Sequence, residues 1–254
     1  MRTLINVTLA FFFANSLAIA GPLEDCQEYT KYGVPGRDGD LLCRKGYLLA
    51  HSPDRKTPLW VIEHLTGEKA AGSIPRTDNF QPDPDLPKGK RAELSDYKKS
   101  GYDQGHMAPA ADMAWDDQAM RESFYLSNMV PQVGIGMNRG IWKDLEEKTR
   151  GWAIGRGEIN IYTGPVYDST IELGEIGKNK VAVPSQLYKV IFDPVKIEAI
   201  AFIMPNKPLK SRDMPQYIVS IREVEKVTGL DFLSNVTKQI QDVIETQKAV
   251  EMWH

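Results

Sequence analysis

The sequence predicts an α+β fold with a central antiparallel sheet, and three observations carry that prediction. Residues 187–192 and 197–204 are apolar runs rich in β-branched and aromatic side chains, and they flank Asp193-Pro194 at the spacing of an antiparallel hairpin. Residues 59–65, introduced by Pro58 and closed by Thr66-Gly67, form a further strand of the same composition. Helical spacing is confined to a few segments, notably residues 138–150, where Ile141, Trp142 and Leu145 make an apolar stripe.

Residues 1–20 have the pattern of an export signal. Arg2 gives a positive start, residues 4–17 are mostly apolar, and Ala18-Ile19-Ala20 supplies a small-x-small site before Gly21. The run is short for a membrane span, so an uncleaved anchor is the rival reading. The mature chain, residues 21–254, is expected to be one domain, secreted or periplasmic, with no stable membrane association. Cys26 and Cys43 are expected to pair in such an oxidising compartment, the alternative being two free thiols.

Residues 21–46 look irregular, broken by Gly33, Pro35, Gly36 and Gly39. Residues 47–51 form a strand, and His51 and His64 read as partly exposed strand residues. Residues 73–90 carry Pro75, Pro82, Pro84 and Pro87, which predicts a long ordered loop, and such loops in compact domains are often functional. A short helix follows over 116–123. Residues 159–162 form a strand before Thr163-Gly164-Pro165, and 181–183 a shorter one; this second half supplies the scaffold sheet. Ser220-Ile221-Arg222-Glu223 is a capping box, with Gly229 as the stop of a helix of about two turns. The tail has helical spacing at Val236, Ile240, Val243 and Ile244 and is expected to pack on the body.

The 254 residues are 42% hydrophobic, enough for a sizeable core. Net charge is −3, from 31 basic and 34 acidic side chains; loss of Arg2 with the leader would leave 30 against 34, or −4. A protein that binds nucleic acid by bulk charge is thereby disfavoured, whereas a turnover enzyme needs only a local basic groove. Lys88, Lys90, Arg91, Lys98 and Lys99 precede the stretch 103–150, and Arg139, Lys143, Lys148 and Arg150 lie within it. Two cysteines are too few for a zinc site.

The chemistry is concentrated in residues 103–150. Asp103-Gln104-Gly105-His106 is followed by Pro109, then by Ser127-Asn128 with Pro131-Gln132, then by Asn138 with Trp142, Leu145, Glu146 and Arg150. Phosphodiester hydrolysis needs an activated water, a cation on the phosphate and relief of charge on the leaving oxygen. His106 can activate water, since an ordinary imidazole is largely neutral near pH 7. Asp103 would hold the turn or orient that imidazole. Asn138 offers an amide oxygen to a hard divalent ion such as Mg²⁺, which keeps several waters and few protein ligands. Asn138 is also the place for a helix N-cap. Glu146 lies eight residues further on, about 12 Å along an unbroken helix, so it would reach the same ion only through water. Its plain alternative is a surface pair with Arg150 at i+4.

These segments resemble the sugar-non-specific DNA/RNA endonucleases, the ββα-metal-finger family that includes endonuclease G and secreted bacterial nucleases. The family pattern is Asp-Arg-Gly-His and a proline, then Ser-Asn-x-x-Pro-Gln, then Asn-x-x-x-Trp-x-x-Leu-Glu. It is matched here save at Gln104, where arginine is usual. The resemblance implies a ββα-metal module on the sheet, with His106 as general base and Asn138 as direct metal ligand. It implies Glu146 as the water-mediated metal partner and Arg150 as a phosphate contact. The segment Arg76-Thr77-Asn79-Phe80 with Asp83-Pro84 resembles the family's other phosphate-binding stretch, which brings in Arg76. Arg139 is expected to help bind substrate, and Asn128 to orient the motif loop or lie near the metal. Gln104 can hydrogen-bond a phosphate but lacks the charged fork of arginine.

The activity that the resemblance implies is metal-dependent cleavage of both DNA and RNA to 5′-phosphate products, with Mg²⁺ or another divalent ion such as Mn²⁺ expected. Weak sequence preference is expected because nothing in the motif reads bases. Partners are the nucleic-acid substrates and, where the chain self-associates, a second copy in a homodimer. Two rivals are a nucleic-acid-binding protein with impaired catalysis, of which Gln104 would be the first sign, and a phosphodiesterase acting on a non-nucleic substrate.

Overall fold

Successive side chains of a strand point to opposite faces, so a strand whose neighbours are all apolar must be covered on both sides. That is the case at the centre of this sheet, where Leu48 and Leu49, Val61 and Ile62, and Ile161 and Tyr162 are all fully buried. The fold was obtained as a computed structural model, which describes residues 26–168, 170–171 and 173–253; the signal segment inferred for residues 1–20 lies outside the described residues.

The strands are β1 (Asp40–Cys43), β2 (Leu48–Ser52), β3 (Thr57–Thr66), β4 (Tyr102–His106), β5 (Met129–Val133), β6 (Glu158–Val166), β7 (Glu175–Ile176), β8 (Val181–Ala182), β9 (Gln186–Asp193), β10 (Glu198–Pro205) and β11 (Ile218–Val219). The helices are α1 (Gln27–Thr30), α2 (Gly67–Ala70), α3 (Leu94–Tyr97), α4 (Asp117–Ser123), α5 (Trp142–Arg156), α6 (Ile221–Thr228) and α7 (Lys238–Ile244). Seven strands form the main sheet in the order β1-β2-β3-β6-β9-β10-β11, every pair antiparallel. The fold is thus α+β with a central antiparallel sheet.

One face of the sheet carries α5, whose Trp142, Leu145 and Trp152 pack with Val61, Ile161, Ile191 and Phe202. The other face carries α1, α6 and α7, with Tyr29, Val224, Phe232 and Ile244 against Leu48, Trp60, Ile62 and Tyr162. Each such side chain contributes about 1.5–3 kcal/mol on burial. The helix α5, which bears Glu146 and Arg150, is therefore anchored on one side of a sheet covered on both faces.

Several local expectations hold for identifiable reasons. The hairpin of β9 and β10 pairs Asp193 with Glu198, and Asp193 Oδ1 accepts from the N–H groups of Val195 and Lys196, both at 2.9 Å, which closes its turn. Glu223 Oε2 accepts from the Ser220 N–H at 2.7 Å and Ser220 Oγ from the Glu223 N–H at 3.2 Å; Gly229 then ends α6 at φ 73°. The loop 73–90 has no regular structure beyond the Gln81–Tyr125 bridge. It is held by the buried Asp83, which pairs with Arg44 at 2.7 Å and accepts from Ser127 Oγ.

Other expectations are corrected. The sheet is not the work of the second half alone, because β1, β2 and β3 supply one edge of it. β1 lies within the stretch expected to be irregular; Gly39 before it has φ 89°, and a Cβ there would come within 2.4 Å of the His51 carbonyl oxygen. The expected pairing of Cys26 and Cys43 holds: they form a disulfide with Cα atoms 6.0 Å apart, tying the start of α1 to β1 and stabilising by about 3 kcal/mol for a loop of this length. His51 is fully buried, not partly exposed, and burial lowers its pKa to about 4. His64 is partly exposed on its strand, as expected, and is clasped between Glu28 at 2.9 Å and Glu158 at 2.7 Å. In the tail Ile244 is buried, Val236 and Ile240 are partly so, and Val243 faces solvent.

Candidate active site

β4 and β5 form a separate antiparallel pair beside α5, which completes the ββα-metal module. The register sets Gln104 opposite Pro131, Gly105 opposite Val130 and His106 opposite Met129. A Cβ on Gly105 would lie 2.0 Å from Gln132 Oε1, so glycine there lets the pair close beneath the histidine. After His106 the chain is fixed by the fully buried Asn128. Its Oδ1 accepts from the Ala108 N–H, and its Nδ2 donates to the carbonyls of Ala108 and Ser123, all at 2.9 Å. Asn128 therefore holds the motif loop through the backbone, and it is not among the residues that line the cleft with Asn138.

His106 stands in an aromatic box. Its ring lies 5.6 Å from Phe80 and 5.2 Å from Phe124, edge to face in both cases. Arg76 covers the Phe124 ring at 4.9 Å and pairs with Asp78. Burial, and secondarily the Arg76 charge, lowers the His106 pKa to about 3. The imidazole is consequently neutral at physiological pH, and its buried Nε2 has no hydrogen-bond partner among the described residues.

Asn138 is not the first residue of a continuous helix. It sits in a kinked helical segment, Gly134–Ile141, with non-helical backbone at Ile135, Gly136, Arg139 and Gly140, and the regular helix α5 begins at Trp142. The axial-rise estimate for Asn138 and Glu146 does not apply across such a kink. Asn138 Nδ2 donates to Asp103 Oδ2 at 2.9 Å, and Arg139 Nε pairs with the same oxygen at 2.9 Å. Asp103 thus orients the asparagine and Arg139, not the imidazole. With its nitrogen so engaged, the Asn138 amide has its oxygen left for a cation.

On α5, Arg150 pairs with the buried Asp112 at 2.9 Å and not with Glu146 four residues before it, which removes the alternative reading of Glu146 as a plain surface partner of Arg150. Burial raises the Glu146 pKa to about 8, Asp112 pushing it up further while Lys189, Arg150 and Arg76 pull it down. Lys189 is itself buried in β9, donates to Thr163 Oγ1 at 2.8 Å and lies 5.3 Å from the Trp142 ring centre.

These groups line one cleft of about 380 Å³ that brings together Arg76, Gln104, His106, Asn138, Arg139, Glu146 and Arg150, with Phe80, Asp103 and Lys143. Among the described residues no group of three or more His, Cys, Asp or Glu side chains could hold a metal ion. An ion here would rely on an amide oxygen and water, the shell that a hard divalent cation accepts. The half-buried carboxyl of Glu146, which desolvation makes costly to ionise, fits a position completed by a cation.

Asp112, Phe124 and Lys189 were not legible as site residues. Lys189 left one signal, a lone lysine inside the apolar run 187–192, since lysine is almost never fully buried unless paired.

A sheet-based fold with a buried histidine beside Arg76 and an asparagine amide in one cleft is the arrangement of a class of phosphodiester-cleaving enzymes, and comparison with known proteins agrees. The DNA/RNA non-specific endonuclease family matches residues 26–239. The mitochondrial nuclease of Saccharomyces cerevisiae is 37% identical over 233 residues, covering 84% of this chain and 71% of that one. Human mitochondrial endonuclease G is 34% identical over 222 residues, covering 82% and 74%. A crystal structure of an EndoG/EndoGI complex, solved to explain EndoG inhibition, aligns with TM-score 0.81 and 31% identity over 92% of this chain and 100% of that one. The chain belongs to the DNA/RNA non-specific endonuclease family. It is a nuclease, and its family depends on a divalent metal ion.

One expectation is overturned by these relatives. Those from Schizosaccharomyces pombe, Saccharomyces cerevisiae, Homo sapiens and Xenopus laevis are named as mitochondrial nucleases, which contradicts a secreted or periplasmic location. A positive, apolar, small-x-small N-terminus is a compositional pattern, and by itself it does not fix a compartment.

Proposed function

We propose that this protein is an endonuclease that hydrolyses phosphodiester bonds of both DNA and RNA with little sequence preference, leaving 5′-phosphate ends. The observation that carries this reading is the buried, unpartnered Nε2 of a neutral His106 in the same cleft as Arg76, Asn138, Glu146 and Arg150. Residues 21–254 act as one nuclease domain, a reading supported by the single sheet shared by both cores. The relatives' names point to the mitochondrion as its compartment.

His106 Nε2 takes a proton from a water molecule, whose oxygen forms a bond to phosphorus as the bond from phosphorus to the 3′-oxygen breaks. The 3′-oxygen leaves with the bonding electron pair and takes a proton from a second water, while His106 releases its proton to solvent, so the products are a 3′-hydroxyl and a 5′-phosphate. Arg76 and Arg150 bind the phosphate oxygens and offset the charge that accumulates on them. Asn138 would hold a divalent ion, Mg²⁺ by its preference for oxygen and water, with Glu146 reaching it through water. When bound, that ion supplies Lewis-acid stabilisation of the phosphate and of the departing oxygen. Asp103 keeps the Asn138 oxygen free by engaging its nitrogen. Gln104 offers a neutral hydrogen bond to the substrate backbone, and Arg139 supplies charge beside it in the cleft.

Incubation of the protein with supercoiled plasmid and with RNA, in Mg²⁺ and in chelator, tests the proposal. Cleavage of both substrates only with the ion is expected. Intact nucleic acid in Mg²⁺, with the protein folded, would favour a binder or a phosphodiesterase for another substrate.

A further inference from the structure

Asp112 lies outside the sequence motif, and its placement is unusual for a carboxylate. It is 1% exposed, on the short turn Ala110–Met113 that follows the strand ending at His106. Its Oδ1 accepts from Arg150 Nη1 at 2.9 Å, across to α5. Ion pairs this buried are weak sources of stability, because desolvation offsets most of the attraction. The Asp112–Arg150 pair is better explained by geometry. A guanidinium is a rigid fork with five donors, and a buried anchor on one nitrogen fixes where the others point. Arg150 lines the cleft with His106 and Arg76, so the donors not used by Asp112 are those available to a phosphate. Asp112 also ties the segment after the histidine to the helix that bears Glu146 and Arg150.

We infer that Asp112 is a positioning residue: a buried carboxylate that aims the Arg150 guanidinium at the phosphate and holds it in register with His106. This rests on the phosphate-binding role of Arg150 proposed above. Asp112 touches neither substrate nor reacting atoms, and its effect passes through the arginine.

The test is a double-mutant cycle of Asp112→Asn and Arg150→Ala, with kcat and KM for plasmid cleavage in Mg²⁺ and melting curves for each protein. Asp112→Asn keeps the shape and an acceptor but loses the charge. It is expected to lower kcat by about 10–100-fold, the usual cost of removing a supporting partner, with KM changed by less than about threefold. In the Arg150→Ala background the same substitution is expected to change kcat by a factor of about one. If Asp112→Asn does not fold, Asp112→Glu replaces it, since a displaced guanidinium should also lower kcat only while Arg150 is present. An equal loss with and without Arg150 would overturn the inference by showing a general structural role. A full-rate Asp112→Asn beside a crippled Arg150→Ala would overturn it while leaving the arginine's role intact. A full-rate Arg150→Ala would remove that role and this inference together.

Discussion

Replacing Asp103 by alanine is predicted to raise the divalent-ion concentration needed for half-maximal cleavage by about 10–100-fold. Asp103 Oδ2 accepts from Asn138 Nδ2 at 2.9 Å and pairs with Arg139 Nε at 2.9 Å. Without it the Asn138 amide is free to turn, and a half-turn about its last bond presents an NH₂ group where the ion needs oxygen. A hydrogen bond to a charged partner contributes about 1.5–3 kcal/mol. A 10–100-fold shift in ion affinity corresponds to about 1.4–2.7 kcal/mol, so the one bond is large enough to account for the effect. The fold should survive, because the Asp103 side chain is 28% exposed and lies at the cleft rim. Asp103→Asn keeps an acceptor and should shift the midpoint less. Initial rates of plasmid cleavage across a Mg²⁺ titration measure both. An unchanged midpoint in Asp103→Ala, even with a lower maximal rate, would refute the assignment of Asp103 as the group that orients Asn138.

Further outcomes follow from the same geometry. Gln104→Arg restores a phosphate contact, so a plot of log affinity for duplex DNA against log salt should steepen by about 0.9; an unchanged slope would mean that Gln104 does not face the backbone. Asn128→Ala leaves the Ala108 backbone without its buried partners and should cost about 2–4 kcal/mol in chemical denaturation; a loss below about 1 kcal/mol would count against its role. His106 is held at a pKa of about 3 in the native state against an ordinary value of 6.5. The unfolded chain therefore takes up a proton that the native chain refuses, and stability falls as pH drops from about 6.5 to 3. His106→Gln should flatten that part of the melting-temperature profile, and an undiminished slope would contradict it. Glu146, with a pKa of about 8, is largely protonated at pH 7 in the ion-free cleft. Calorimetric titration of Mg²⁺ in buffers of different ionisation enthalpy should register release of about one proton in wild type and none in Glu146→Gln; equal release in both would locate the proton elsewhere.

What could be seen in the sequence was whatever is written locally. The capping box at Ser220 and the turn at Asp193-Pro194 depend on residues a few positions apart, and the motif between Asp103 and Arg150 is legible as short runs that follow one another in a fixed order. What was hidden depends on contacts across the fold. Asp112 meets Arg150 over 38 positions, and Lys189 reaches Thr163 over 26. Neither pairing leaves a trace in periodicity. The kink at Asn138 was missed because Ile141, Trp142 and Leu145 carry a helical pattern right up to it, while the break lies in the backbone of Gly136 and Gly140. His51 reads as half-exposed because a strand's alternation does not say whether its second face is covered. The N-terminal pattern suggested export, and the relatives' names overturned it, since segment composition reports an address only indirectly.

The central claim is that a neutral His106 activates water for phosphodiester hydrolysis in the cleft. The most direct test is the single-turnover cleavage rate of His106→Ala against wild type, on plasmid and on RNA at saturating Mg²⁺, with matching melting curves. Loss of a general base predicts a fall of about 10²–10⁴-fold on both substrates in a protein that remains folded. Cleavage within about tenfold of wild type on either substrate would contradict the assignment of His106 as the base.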